Sequence, residues 1–215
     1  MLRLYSVPRT ERILRSLEPE LRAMSGQYGI PPAYILAVLR KEIAEIDLGD
    51  PLADLAVRLY WARYGLRKAL CRAGLLGSPV PRLRRGVFGK RDSSTGYAQI
   101  FAFVGINAIN YALDRGLDTP AGLGVPDDRR LRPDEAEDLR SIWFRLQRDR
   151  LFNARLAILN LMAAGEEMNG HTDFSRYGPE EIQRTLTRYN ADVRHVTAYG
   201  REVYRYYTVF SAMSL

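Results

Sequence analysis

The stretch that most constrains this chain is Pro31 to Asp47, PPAYILAVLRKEIAEID. Adjacent prolines are tolerated in the first turn of a helix, where the N–H groups have no intrahelical acceptor, and not further in. From there Ile35, Val38, Leu39 and Ile46 recur at helical spacing and share a face. Glu42 falls on that same face. A carboxylate on an apolar stripe is costly to ionise, so burial raises its pKa and keeps it available as a proton donor near neutral pH. The alternative is a place at the stripe's edge, paired with Lys41 or Arg40 and reaching solvent.

The rest of the chain is helical in pattern almost throughout. Leu14, Leu17, Leu21, Met24 and Tyr28 make an amphipathic helix of Thr10 to Tyr28. Leu52, Leu55, Leu59, Ala62, Leu66 and Leu70 form a further stripe that ends near Gly74. Leu75 to Lys90 is rich in Gly, Pro and Arg and reads as a loop. Its Arg82, Arg84 and Arg85 are either solvated or placed for an anionic ligand. Phe101 to Leu113 reads as a buried helix, and Gly116 to Pro133 as a loop. Asp134 is expected to cap a helix running through Trp143 and Leu146 towards Asn153. Phe152, Leu156, Leu159 and Ala163 give a stripe ended by Asn169-Gly170. Pro179 opens a short helix to Tyr189-Asn190, and Val196, Tyr199, Val203, Tyr206 and Phe210 line one face of the last. The expected fold is mostly α.

One segment breaks this pattern. Asp92 to Ile100, DSSTGYAQI, opens with turn chemistry, and Tyr-Ala-Gln-Ile then runs as a short strand or enters a helix. A short β-hairpin or extended loop from Val87 to Ile100 is the only strand structure expected.

Composition narrows the function. The net charge is +7, and all but three of the 32 basic residues are arginine. That excess suits an anionic partner: nucleic acid, a membrane surface or an acidic cell wall. Cys71 is the only cysteine, so no intramolecular disulfide forms. His171 and His195 lack ligand-spaced partners, and no metal or other cofactor is expected. No run approaches the roughly 18 apolar residues of a membrane span. The Arg-punctuated start, MLRLYSVPRTERILRSLEPE, has no apolar core of a secretory signal.

A Glu late in an apolar helix, followed by Ser-Thr-Gly-x-x-Gln-Ile, resembles the lysozyme-like superfamily, in particular soluble-type lytic transglycosylases and goose-type lysozymes. Glu42 matches the family's Glu, Ser93 or Ser94 its Ser, and Gly96, Gln99 and Ile100 the rest. Leu151 to Ala157 looks like the segment in which an Asn opens a helix behind the active-site loops. Thr187 to Ala191 looks like the Tyr-Asn-Ala motif, and Tyr199 to Tyr207 like the closing helix. The resemblance covers residues 30 to 50, 92 to 110 and 150 to 207. It implies one lysozyme-like domain over residues 1 to 215, with insertions near 50–90 and 113–150 and a small hairpin region beside a cleft.

The resemblance further implies cleavage of the β-1,4 bond between N-acetylmuramic acid and N-acetylglucosamine. In a lytic transglycosylase one Glu acts as acid and then as base, and the sugar's own 6-hydroxyl closes a 1,6-anhydro product. The N-acetyl group can supply the stabilisation that a second carboxylate gives elsewhere. Glu42 takes that role here. A hydrolytic muramidase needs a second acid, for which Asp92, Glu45 and Asp47 are candidates; Glu45 lies about 300° around the helix from Glu42. Asp92 is the best placed of the three, although a turn Asp also bonds its own backbone. Ser94 stands where hen-type lysozymes carry their second acid, which favours the one-Glu mechanism. Ser94 and Gln99 would orient sugar or Glu42, Tyr97 and Tyr189 would offer flat faces to sugar rings, and Asn190 would bond an acetamido group.

The partner expected is the peptidoglycan strand, and the place of action the periplasm or cell wall of the same or a target cell. Without a signal, delivery would use a phage lysis system, a phage-tail-like structure or a contact-dependent apparatus, and a toxin so delivered implies an immunity protein. Two other readings stand beside this one: an Arg-rich helical protein that binds nucleic acid, indifferent to Glu42, and an inactive lysozyme-like module that binds glycan.

Overall fold

The computed structural model describes residues 3–80 and 90–213. Among these, nine α-helices follow one another: α1 (Val7–Tyr28), α2 (Pro32–Glu45), α3 (Gly49–Arg72), α4 (Ala102–Asp114), α5 (Pro120–Leu123), α6 (Ala136–Arg148), α7 (Arg150–Asn169), α8 (Pro179–Asn190) and α9 (Ala198–Ala212). A 3-10 turn, Phe174–Arg176, joins α7 to α8. The mostly helical fold expected from periodicity is the one observed.

Helices α2 and α7 form the centre. Residues Ala33 to Leu39 of α2 are all buried, and α7 buries Phe152, Asn153, Ala154, Leu156 to Leu159, Leu161 and Met162. A helix apolar on every side has to be surrounded by others. Helices α1, α7 and α9 pack around α2, while α4, α6 and α8 pack on α7. Tyr34 of α2 meets Phe174 and Tyr207 edge-on, tying the 3-10 turn and α9 to the centre. The buried cluster is continuous from Leu14 to Val203.

Two expectations are corrected. First, one helix was expected from Asp134 to Asn153, but the chain breaks at Asp149. The Asp149 carboxylate accepts the backbone N–H groups of Leu151 and Phe152 and opens α7 as a separate helix. Asp134 caps nothing; its carboxylate pairs with Arg132 at 3.0 Å. Second, the loop from Gly116 to Pro133 contains α5, whose Thr119 cap accepts from Gly122 N and whose Leu123 is buried. The stripe of α3, whose direction periodicity leaves open, points outward. Leu52 is 64% exposed and Leu66 likewise, while Ala56, Val57, Tyr60, Trp61 and Tyr64 are buried. The aromatic face wins because Trp61 stacks edge-on with both Tyr60 and Tyr64, and larger rings remove more apolar area from water.

The extended segment is reduced to a tight loop. Its described residues hold one isolated antiparallel bridge, Thr95 to Ile100, and no longer strand; Val87 to Gly89 lie outside the described residues. Arg82, Arg84 and Arg85 lie outside them too.

Candidate functional site

The Thr95–Ile100 loop is positioned from behind by side chains that sequence patterning did not connect to it. Asn153, fully buried on α7, accepts from Ala98 N at 2.8 Å and donates to Thr95 O at 3.0 Å. One amide thereby satisfies a donor and an acceptor of the loop. Gly96 makes this approach possible: its φ is +71°, and a Cβ there would sit 2.4 Å from Asn153 Nδ2 and 2.9 Å from Leu146 O. On the other side Asp54 of α3 accepts from Ser93 Oγ at 2.9 Å and Thr95 Oγ1 at 3.0 Å, and from Gln147 Nε2. The buried indole of Trp143 donates to the same Ser93 hydroxyl. The serine-threonine turn is thus anchored into the protein through Ser93 and Thr95.

Glu42 lies in the last turn of α2, half-buried. Its neighbours on the helix are engaged elsewhere: Arg40 pairs with Glu11 at 2.5 Å, and Lys41 bridges Glu45 and Glu202 at 2.6 Å each. The expected alternative, a pair with Lys41 or Arg40, is therefore not formed. The Glu42 carboxyl instead accepts from the Tyr199 hydroxyl at 2.5 Å. Burial is the largest influence and pushes its pKa from 4.5 up to about 7. The Tyr199 bond and Lys41 pull it down, while Glu45 and Asp50 push it up. The helix C-terminus adds a negative potential in the same direction as burial. An acid so placed can both give and take a proton near neutral pH.

Two tyrosines close the back of the carboxyl. Tyr189, at the end of α8, donates to Ala98 O at 2.7 Å, linking helix and loop. Tyr199 stands in the first turn of α9. The phenols of both are held well above their ordinary pKa, first by burial and then by the charge of Glu42 beside them. Both therefore stay neutral donors.

In front of Glu42 runs a groove of about 550 Å³ whose walls come from the 99–104 segment, α4, α7 and α8. Of the residues singled out from sequence, Glu42, Gln99, Tyr189 and Asn190 share it. Gln99 holds a φ of +47° and folds its amide back onto Gly96 O at 2.9 Å. Asp92, Ser94 and Tyr97 are not among its lining residues. Both oxygens of Asp92 accept backbone N–H groups at the start of α4, from Ala102 at 3.0 Å and Phe103 at 3.1 Å, so Asp92 caps that helix. Glu45 is taken up by Lys41, and Asp47 accepts from Gly49 N in the turn before α3.

The groove also brings in residues that no motif marked. Asn107 and Asn160 line it, each an amide within an otherwise apolar helical run, which is the signal that would have found them. Phe101 and Phe103 are 40% and 44% exposed, with ring centroids 5.6 Å apart, and form an apolar wall. Besides Glu42, the carboxylates lining the groove are Glu167 of α7 and Asp192, and Arg188 pairs with both, at 2.9 Å and 3.6 Å. Among the described residues, no group of His, Cys, Asp and Glu is arranged to hold a metal ion, and no helix is long and apolar enough to cross a membrane.

The geometry at this point is a neutral-pH acid at the foot of an open groove, backed by phenols and faced by amides and exposed rings. No family model matches the chain, and no curated protein and no solved structure matches it either.

Proposed function

We propose that the protein is a lysozyme-like peptidoglycan glycosidase, acting as a lytic transglycosylase with Glu42 as its single acid and base. The observation that carries this reading is the Glu42 carboxyl, desolvated to a pKa of about 7 on the wall of an open groove. The reaction runs in two proton transfers. Protonated Glu42 gives its proton to the glycosidic oxygen as the bond to C1 of N-acetylmuramic acid breaks. The N-acetyl group carries the positive charge that develops at C1. The Glu42 carboxylate then takes the proton of the 6-hydroxyl as O6 bonds to C1, and a 1,6-anhydro sugar leaves without consuming water.

The surroundings suit that cycle. Tyr199 stabilises the carboxylate when the proton has left. Asn107, Asn160 and Asn190 offer amides to acetamido groups, and Phe101 and Phe103 a surface for sugar rings. Asp92, occupied with the α4 cap, speaks for the one-carboxylate route over the hydrolytic one.

The test is mass spectrometry of purified peptidoglycan digested with the wild type and with Glu42→Gln. The expected products end in 1,6-anhydro-muramic acid, and their rate of release falls by about 10²–10⁴ in the variant. Reducing-end products would mean hydrolysis. No product from the folded wild type would remove the glycosidase reading for this substrate.

A further inference from the structure

The outward face of α3 has no counterpart in the site described above. Leu48, Leu52, Leu55, Leu59, Ala62, Leu66 and Ala69 follow one another at alternating steps of four and three residues. All seven are exposed, the leucines by 40–64%. That step is the heptad rhythm of a helix–helix seam, held here over three heptads on a 24-residue helix. The seam is narrow, an arc of about 100°, because Val57, Tyr60, Trp61 and Tyr64 occupy the opposite side.

The borders of the seam are cationic. Exposed Arg58 and Arg72 lie along one edge and exposed Arg63 along the other. Beside the Arg58 edge, a hollow of about 310 Å³ between α3 and α6 is lined by Arg58, Arg140 and Arg148 around Phe144. Both Arg140 and Arg148 lie over the Phe144 ring. Glu137, 3.6 Å from Arg140, is the one carboxylate ion-paired to any of these three arginines among the described residues.

We propose that this face docks an amphipathic helix of a partner protein whose apolar seam is bordered by Asp and Glu. Charge and spacing together select this occupant. A second copy in parallel would set Arg58 of one chain opposite Arg63 of the other, and like charges at such flanks disfavour pairing. A bilayer surface would suit the arginines and the leucines, but the strict heptad step held over three heptads is what a partner helix requires and a bilayer does not. Acidic flanks on a partner helix satisfy both the seam and its borders. Asp54, on the same helix, holds the Ser93–Thr95 turn, so the docked partner lies one helix away from the groove loop. The inference does not depend on the chemistry of Glu42.

The test uses the full chain and two fluorescent 28-residue helical peptides with leucine seams, one flanked by Glu and one by Lys. Repulsion between its own flanks keeps the Glu peptide from self-pairing. The expected result is binding of the Glu peptide but not the Lys peptide, weakened by salt and at least about tenfold by Leu59→Glu or Arg63→Glu. Circular dichroism should show both variants folded, since both positions are exposed. Equal binding of the two peptides, or none by the Glu peptide, would overturn the proposal. So would a dimer in light scattering that Leu59→Glu dissolves, or Leu59-dependent sedimentation with phosphatidylglycerol vesicles in the absence of peptide binding.

Discussion

Replacing Glu42 by Gln should shift the stability difference between the two proteins in favour of the variant as the pH rises from acid to neutral. In the folded chain the carboxyl titrates at about 7 rather than 4.5, so the native state binds this proton more tightly than the unfolded chain does. Below about pH 4.5 the group is protonated in both states and costs nothing. As pH rises from there through the folded pKa, the stability associated with the proton is lost, and above about pH 7 the loss is complete. At about 1.4 kcal/mol per tenfold change in proton affinity the gap is worth about 3 kcal/mol, or about 2 kcal/mol allowing for water in the open groove. Glutamine never ionises, so it escapes this loss. Its own fixed costs, such as a buried amide N–H₂ beside Tyr199, are the same at every pH and cancel when the two proteins are compared along the pH axis. Urea unfolding of both proteins from pH 4 to pH 8 should show the stability difference moving by about 2–3 kcal/mol in favour of Gln, with the change falling between pH 4.5 and 7. The melting temperature difference should move by roughly 4–12 °C over the same range. A difference that stays flat with pH would show that Glu42 is not desolvated, and the reasoning from its burial would fail.

Other substitutions probe the supports of the site. Tyr199→Phe removes the hydrogen bond that holds the Glu42 pKa down, so the pKa should move further up; carboxyl NMR reads it directly, and any activity profile should shift to higher pH. Asn153→Ala leaves Ala98 N without its partner and takes from Thr95 O one of its two donors, the other being Ile100 N, and should cost about 1–3 kcal/mol in urea unfolding. Gly96→Ala places a Cβ against Asn153 and Leu146 O at a left-handed φ, and should destabilise by at least about 2 kcal/mol. Asp92→Ala should cost about 1–2 kcal/mol through the lost α4 cap while peptidoglycan cleavage persists. A folded but inactive Asp92→Ala would restore Asp92 as a second acid.

Most of the helices were legible because their periodicity has a single solution. Phe152, Leu156 and Leu159 have nowhere to go but inward, and Gly170 stops their helix. The elements left open or misread are those for which period alone does not offer one solution. Helix α3 carries a leucine face and an aromatic face at the same spacing, and which one turns inward depends on Trp61 and on the reach of Asp54 to Ser93 and Thr95. Only one residue, Asp149, separates α6 from α7, and an interruption that short hardly registers in a hydrophobic period. In the site, Glu42 was legible as a carboxylate on an apolar face, and Gln99 and Tyr189 were placed by motif. Tyr199 was read only as one more apolar residue of the last helix. Its hydroxyl finds Glu42 across 157 residues of chain, a pairing that no local pattern encodes.

The acidity of Glu42 therefore belongs less to α2 than to the way α8 and α9 cross. Tyr189 leaves the end of α8 and Tyr199 enters with the first turn of α9, and both stand beside the carboxyl. They reach it together because the two helices touch at Gly200. A Cβ there would lie 2.0 Å from Thr187 Oγ1 and 2.7 Å from Gln183 O, so any larger residue has to push α9 away. Thr187 fixes the same crossing from the other side, accepting from Thr197 N at 3.2 Å. Moving α9 outward would withdraw Tyr199, which raises the pKa, and let water reach the carboxyl, which lowers it; burial is the larger of the two influences, so the net movement is downward. Gly200 lines no part of the groove, yet it governs the proton affinity on which the proposed chemistry depends.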